Sequence, residues 1–285
     1  MNALVLGLCC DYLRRNGKAE LGRIAFIMNW EGIMRNLNYE ITIPDLDCQL
    51  EQNEEWVIVD FGNRQEKVRL HDYSAIYGIP GLYEEILYNR LKCNSPKVIC
   101  DMLTDILKRS GYSTKELRLL DFGAGNGMAG EQLKKRGCNL IVGVDILIEA
   151  RNAAYREHPL VYDDYYVMDL SRLNNEEAEQ LKQYDFNTLI TVGALGFDDI
   201  PPRAFLRAFN LMKDDTWIAF NIKDRFLTNN DDTGYKGTME VIFEDALSVY
   251  QKKRYCHRLS TRGEEIKYIA IVGKKIKGVN INEIL

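Results

Sequence analysis

Three histidines, six prolines and no pair of cysteines at Cys-x-x-Cys spacing are the scarcities that frame this 285-residue chain. With so few histidines a His-rich metal site is not expected. The seven cysteines (Cys9, Cys10, Cys48, Cys93, Cys100, Cys138 and Cys256) are odd in number and irregularly spaced, which argues against zinc and against a disulfide framework. Free thiols in a reducing cytoplasm are the expectation. No run reaches the roughly 18 apolar residues of a membrane span. The first apolar run, Ala3 to Cys10, has no Lys or Arg before it and leads into Asp11 and the Arg14–Arg15 pair, so it reads as a buried helix rather than a signal peptide. Excess positive charge is missing too. A net charge of −5 weighs against a nucleic-acid backbone as the main partner.

What is present is ordinary globular composition, 46% hydrophobic and 28% charged, enough to bury a core without staples. From about Leu117 short apolar runs alternate with amphipathic stretches. Strands are expected at Leu117 to Phe122, Leu140 to Val144, Tyr165 to Met168, Asn187 to Val192 and Trp217 to Ile222. Helices are expected at Met128 to Arg136, Glu149 to Arg156 and Glu176 to Leu181, with another opened by Pro201 and Pro202. Such alternation implies a parallel sheet covered on both faces. The end differs: Lys253 to Leu259 and Ile266 to Val272 flank Thr261-Arg262-Gly263-Glu264, which predicts a closing antiparallel hairpin.

The first hundred residues have another character. Trp56 to Phe61 and Lys67 to His71 flank Gly62-Asn63-Arg64-Gln65 and predict a hairpin. Ser95 as N-cap and Pro96 at the first helical position predict a helix start. No Pro-, Gly- or Ser-rich linker divides the chain. Residues 1–94 are therefore expected to pack as an α+β lid or oligomer face on residues 95–285.

The segment Leu119-Leu120-Asp121-Phe122-Gly123-Ala124-Gly125-Asn126-Gly127 carries the most information. A hydrophobic strand runs into Asp-x-Gly-x-Gly-x-Gly, where glycines permit a tight turn and let a ligand lie against bare backbone. Gly125 to Gly130 also fits the dinucleotide fingerprint G-x-G-x-x-G. That register asks Gly123 and Ala124 to be strand and aims the Asp121 anion at a diphosphate, so the acidic register is preferred. Asp145 closes the next strand, where a carboxylate can take both ribose hydroxyls of an adenosine, and Asp169 closes the third, where it can accept from an adenine amino group. Each could instead be a helix cap or a solvated turn. Three acids closing three successive strands make coincidence a poor explanation.

Together these residues resemble the class I S-adenosylmethionine-dependent methyltransferases, over roughly Ser95 to Lys275. The resemblance implies a doubly wound, mostly parallel, seven-stranded Rossmann-like sheet that ends in an antiparallel hairpin. It assigns Asp121, Gly123, Gly125, Asn126 and Gly127 to the cofactor loop, Asp145 with Ile146 to the ribose, Asp169 with Leu170 to the adenine, and Val192 to the cofactor wall. Asp163-Asp164-Tyr165-Tyr166 and Phe220-Asn221-Ile222-Lys223 look like those of bacterial small-molecule-type members. No metal is expected.

Methyl transfer needs positioning, desolvation and, for a protonated nucleophile, a base. His257, late in the sixth strand of the alternating domain, and His71 are the candidates; His257 could equally pack against Tyr255 or Tyr268. His158, before Pro159, reads as surface. The tyrosine- and glycine-rich run Ile76 to Tyr83 suggests a lid whose rings face the sulfonium, or simple packing. Thr191 to Gly196 lacks the Asn/Asp-Pro-Pro-Tyr signature of nucleic-acid amino methyltransferases, and Lys252, Lys253, Arg254, Lys274, Lys275 and Lys277 read as a solvated face. The expected partner is thus a small-molecule acceptor methylated on oxygen or nitrogen, with no nucleic acid or membrane. A protein or peptide substrate, or a non-catalytic scaffold, is the alternative.

Overall fold

Short runs of β-branched and aromatic residues separated by amphipathic segments bury best as a sheet between two helical layers, and that is the arrangement of the computed structural model. It describes residues 38–45, 50–197, 199–228, 231 and 233–284. The expected helix at Ala3 to Cys10, and Cys9, Cys10 and Cys48, lie outside these residues.

In the N-terminal part, β1 (Glu40–Thr42), β2 (Trp56–Asp60) and β3 (Gln65–Arg69) form an antiparallel sheet in that order. The predicted hairpin forms with a shifted turn, since Gln65 already pairs with Asp60. Helix α1 (Tyr73–Gly78) and a π-helical turn (Glu84–Arg90) follow; neither has a counterpart in the sequence reading. The helix α2 (Ser95–Arg109) begins where expected, but Asn94 takes the N-cap position and Ser95 is the first helical residue, with its hydroxyl directed elsewhere.

Every predicted strand of the second part is present. These are β4 (Arg118–Phe122), β5 (Leu140–Asp145), β6 (Asp164–Val167), β7 (Thr188–Leu195), β8 (Trp217–Lys223), β9 (Leu247–Leu259) and β10 (Glu265–Lys275). Their order, β6-β5-β4-β7-β8-β10-β9, is parallel except for β10, which runs antiparallel to both neighbours. Helices α3 (Met128–Lys135), α4 (Ile148–Glu157), α5 (Asn175–Lys182) and α6 (Pro202–Leu211) connect the parallel strands. Local chemistry supports them. At α5 the Asn174 side chain accepts from Glu177 N at 2.9 Å while Glu177 accepts from Asn174 N at 3.0 Å, a reciprocal capping box. Two apolar clusters fill the faces of the sheet, one around Phe205, Phe209 and Phe220, the other around Ile99, Leu103 and Ile141.

The two parts meet along α4. Ala150, Ala153, Ala154 and Glu157 are buried at i, i+3, i+4 and i+7, and Ala150 and Ala153 join the core of Ile41, Val57, Ile76 and Leu82. Small side chains let the N-terminal part approach this helix closely. A second tie is electrostatic: Glu55 Oε2 lies 2.5 Å from Arg258 Nη2, both side chains almost wholly buried, and Glu55 Oε1 also accepts from Thr261 N at 2.5 Å. Of the basic residues near the hairpin, Lys252, Lys253, Arg254 and Lys277 are exposed, as a solvated face would be, whereas Lys274 is half-buried and Lys275 buried. Arg254 pairs with Asp224, Lys274 with Asp215 and Lys277 with Asp245, while Lys275 is buried and donates to the Met212 carbonyl.

A buried pair is costly to break from one side because the remaining charge stays uncompensated. Glu55→Ala is expected to lower stability by about 3–5 kcal/mol, read from urea midpoints. Glu55→Leu combined with Arg258→Met is expected to recover most of the loss. Equal midpoints for Glu55→Ala and wild type would remove the pair from the account of how the two parts are joined.

Candidate active site

The order of the sheet reverses between β4 and β7, the place where open α/β folds leave a crevice at the carboxyl ends of their strands. A cavity of about 360 Å³ lies there. Phe122 and Gly123 after β4, Asp145 and Ile146 after β5, Asp169 and Leu170 after β6, and Val192 to Ala194 in β7 form its floor. His71, Tyr73, Tyr77 and Tyr83 of the N-terminal part roof it. Thus Gly123, Asp145, Ile146, Asp169, Leu170 and Val192, all named from the sequence, line one space. Asp121, Gly125, Asn126 and Gly127 do not line it.

Those four build the loop from behind. Gly123, Gly125 and Gly127 adopt φ of +72°, +55° and +101°, a left-handed conformation that side chains resist. Gly125 has a second reason: a Cβ there would sit 2.5 Å from the Tyr77 hydroxyl. Asp121 is buried and accepts from the Tyr162 hydroxyl at 2.8 Å; burial raises its pKa to about 7, against the lowering effect of that hydrogen bond. Gly130, the third glycine of the competing fingerprint, is explained by packing, since a Cβ would meet Val161 at 2.8 Å and the Tyr162 hydroxyl at 2.9 Å.

Asp145 joins the loop to the cavity. Its Oδ2 accepts from Gly125 N at 2.9 Å and its Oδ1 from Leu147 N at 3.0 Å, leaving further lone pairs for a ligand. Burial raises its pKa, while the Leu147, Gly125 and Ile146 amides oppose the rise. Asp169 caps a turn of 3₁₀ helix, accepting from Ser171 N at 2.9 Å and Ser171 Oγ at 2.6 Å through Oδ1. Beside Asp145, Ile146 is 57% exposed, an apolar surface at the cavity mouth suited to a flat ring.

The roof is tied down through Glu157 and His158, neither of which the sequence reading gave a role. Glu157, buried at the end of α4, accepts from Gly81 N at 3.0 Å and from Asn126 Nδ2 at 2.8 Å, and pairs with Arg156 at 2.6 Å. Asn126 also donates to Glu84 Oε1 at 3.2 Å. His158 is no surface residue. It sits between Glu84 of the lid, at 2.7 Å, and Glu131 of α3, at 3.4 Å. Burial pulls its pKa down, but hydrogen bonds and charge from Glu131 and Glu84 overcome that and push it to about 9. A carboxylate on the alanine face of α4 was the visible signal for Glu157; His158 gave none.

The two candidate bases part company. His257 stacks on Tyr268 at 4.1 Å between ring centroids, and its Nδ1 lies 2.5 Å from Ser95 Oγ. Burial, then Arg258, His71 and Lys223, lower its pKa well below the usual value, so the ring is neutral and Nδ1 accepts the Ser95 hydroxyl proton. Ser95 in turn accepts from Asn221 Nδ2 at 3.0 Å, and Asn221 Oδ1 receives Gly193 N at 2.6 Å. This network buttresses the left-handed Gly193 in β7. His71 faces the cavity instead, with Nδ1 3.6 Å from Asp199 Oδ2. Tyr73 donates to the same oxygen at 3.4 Å. Asp199, just ahead of Ile200-Pro201-Pro202, was not singled out from sequence. Tyr73, Tyr77 and Tyr83 pack ring on ring, with centroids 5.8 Å apart for Tyr73–Tyr77 and 4.9 Å for Tyr77–Tyr83, and burial holds all three phenols protonated. They therefore both pack and face the cavity. Among the described residues no group of three His, Cys, Asp or Glu is placed to hold a metal ion. No helix among them is long and apolar enough to cross a membrane.

A family model described as a methyltransferase domain matches residues 94–268. No curated protein sequence matches the chain. Similar solved structures include a Thermoplasma acidophilum protein, 15% identical, covering 72% of this chain and 97% of that one at a TM-score of 0.46. A putative RNA methyltransferase from Pyrococcus horikoshii is 14% identical and covers 65% and 86%, with a TM-score of 0.47. Magnesium protoporphyrin IX methyltransferase from Synechocystis, solved with S-adenosylhomocysteine bound, is 15% identical over 62% and 82%, with a TM-score of 0.42.

A pKa raised on folding contributes stability that is complete below the unfolded value of about 6.5 and is lost as pH rises through about 9. The His158 bridge is therefore expected to contribute about 3 kcal/mol at pH 6 and little at pH 9.5. The fall in urea midpoint between those pH values is expected to be larger in wild type than in His158→Gln. Parallel pH profiles would contradict the bridge.

Proposed function

The chain belongs to the methyltransferase-domain family, and from that premise we propose that it transfers a methyl group from S-adenosylmethionine to an oxygen or nitrogen of a small molecule enclosed under the tyrosine lid. The observation that supports the small-molecule reading is a partly covered cavity: its acid-lined floor is roofed by His71, Tyr73, Tyr77 and Tyr83, and the roof is fastened to the glycine loop through Glu157 and to α3 through His158. An open groove, as a peptide substrate would need, is not what these ties favour. A scaffold has no use for a cavity whose polar groups are this ordered.

The residues fit the cofactor. When bound, S-adenosylmethionine supplies a methyl carbon on a cationic sulfur that leaves as a neutral thioether. Asp72, Asp145, Asp169 and Asp199 give the cavity a negative lining suited to a ligand bearing sulfonium and ammonium charges. Asp145 is assigned the ribose hydroxyls, Asp169 the adenine edge, and Ile146 with Leu170 the apolar faces of the ring. Tyr73, Tyr77 and Tyr83 exclude water and turn π-faces toward positive charge. His71 is assigned the acceptor's proton, with Asp199 as the positioning carboxylate. The buried free thiols of Cys100 and Cys138 suit a reducing cytoplasm.

Three outcomes test this reading. Asp145→Ala is expected to weaken S-adenosylhomocysteine binding more than tenfold by calorimetry; unchanged affinity would remove Asp145 from the ribose. With methyl-labelled S-adenosylmethionine and a cell extract, label is expected in the small-molecule fraction, and label in protein alone would favour a peptide substrate. His71→Gln is expected to slow that transfer by about 10²–10⁴-fold with cofactor affinity kept; full turnover would take His71 out of the chemistry.

A further inference from the structure

Gly143 interrupts the run of Leu140, Ile141, Val142 and Val144 in β5, where a branched residue would suit the sheet better. Two tyrosine rings account for it. A Cβ at Gly143 would lie 2.8 Å from the ring of Tyr165, its partner across in β6, and 3.0 Å from the ring of Tyr162. The two rings meet edge to face with centroids 5.1 Å apart, and both side chains are buried. Because the strand is bare at that point, both tyrosines reach over β5 to the glycine loop that follows β4. The Tyr162 hydroxyl donates to Asp121 at 2.8 Å, and the Tyr165 hydroxyl donates to the Gly125 carbonyl at 2.7 Å.

Buried peptide groups need partners, and most of this loop finds them in backbone. Gly123 N and Ala124 N donate to Val144 O at 2.8 and 3.1 Å, and Gly127 N donates to Ala124 O at 3.0 Å. Gly125 is held by side chains instead. Its N–H goes to Asp145 Oδ2 at 2.9 Å, and its carbonyl takes the Tyr165 hydroxyl. The two peptide units flanking this buried glycine are thus fixed from β5 on one side and β6 on the other. Burial, with the charges of Asp145 and Asp121, raises the Tyr165 pKa well above its usual value, so the phenol keeps the proton it donates. Tyr165 does not line the cavity, whereas Asp145 does.

Resting on the methyltransferase reading, we propose that Tyr165 is a positioning residue for the cofactor, acting through Gly125 on Asp145. A glycine has no side chain to restrict its own backbone angles. With its carbonyl pinned by Tyr165, Gly125 keeps its left-handed φ of +55° and aims its N–H at Asp145 Oδ2. Two amides then orient the carboxylate, Gly125 N on Oδ2 and Leu147 N on Oδ1, and the lone pairs left over meet the ribose hydroxyls. Without the Tyr165 hydroxyl the Gly125 carbonyl would be buried unmatched, and the peptide would turn to find another donor. Asp145 would lose one of the two amides that set its direction. Cofactor binding would have to restore that direction, at a loss of affinity.

The test is calorimetric titration of the full-length protein with S-adenosylhomocysteine at pH 7.5. Tyr165→Phe keeps the ring over Gly143 and removes only the hydroxyl; it is expected to weaken binding about tenfold. In protein that already carries Asp145→Ala, the same change is expected to cost less than about twofold, because the carboxylate it acts on is gone. A tyrosine with a merely structural role would weaken binding by the same factor in both backgrounds. Such additivity, or unchanged affinity in Tyr165→Phe, would overturn the proposal. Gly143→Ala reaches the same contact from the other side: it leaves every polar group in place but crowds the Tyr165 ring, and it is expected to weaken binding as well. Should the urea midpoint show that Tyr165→Phe does not fold, unchanged affinity in Gly143→Ala would overturn the proposal. Failure of the wild-type protein to bind S-adenosylhomocysteine would instead overturn the reading on which it rests.

Discussion

The carboxylate of Glu157 is the point at which lid, glycine loop and helix α4 are made one object. It accepts the Gly81 amide from the lid and the Asn126 amide from the loop while standing at the end of the alanine face on which the N-terminal part packs. Charge-assisted hydrogen bonds to a buried carboxylate are among the stronger polar contacts in a protein. Glu157 thus turns two segments about 45 residues apart into the roof and rear wall of one cavity. His158, the next residue, adds a bridge to Glu84 and Glu131. Without this pair of neighbours the tyrosines of the lid would have no fixed relation to the acids at the strand ends.

A consistent division of labour follows. The strand-end residues Asp145, Asp169 and Val192 face the cavity, whereas the glycine-loop residues Asp121, Asn126 and Gly127 hold the loop's shape from outside it. The Asn221–Ser95–His257 network does the same for the far wall by fixing Gly193. Buried polar networks of this kind rigidify most when their members are satisfied; the Ser95, Asn221 and Glu157 hydrogen bonds are made, and Arg156 Nε beside Glu157 is left unmatched. Among the described residues the unmatched buried side-chain atoms are Gln52 Oε1, His71 Nδ1, Arg156 Nε, Thr191 Oγ1 and Arg225 Nε.

The sheet and three strand-end acids were legible in the sequence because they depend on local pattern: apolar runs of strand length, each closed by an acid, with glycines where backbone must turn. Boundaries moved by only a few residues, except that β9 begins at Leu247 rather than Lys253, since its outward face is polar and exposed. The N-terminal part was read less completely. β1 is three residues long, and the π-helical turn Glu84–Arg90 lacks helical periodicity, so neither leaves a signal. His158 and Ser95 were misplaced for a different reason. Their surroundings come from segments far away in the chain, 74 residues for His158 and Glu84 and 162 for Ser95 and His257, and no local rule reports such partners.

The measurement that tests the account most directly is a crystal structure of the protein grown with S-adenosylhomocysteine. The expected result is the ligand in the cavity under Tyr73, Tyr77 and Tyr83, with its ribose hydroxyls on the Asp145 carboxylate, its adenine beside Ile146 and Asp169, and its sulfur near the wall shared by His71 and Gly193. Ligand bound elsewhere, or in the cavity with its ribose away from Asp145, would contradict it.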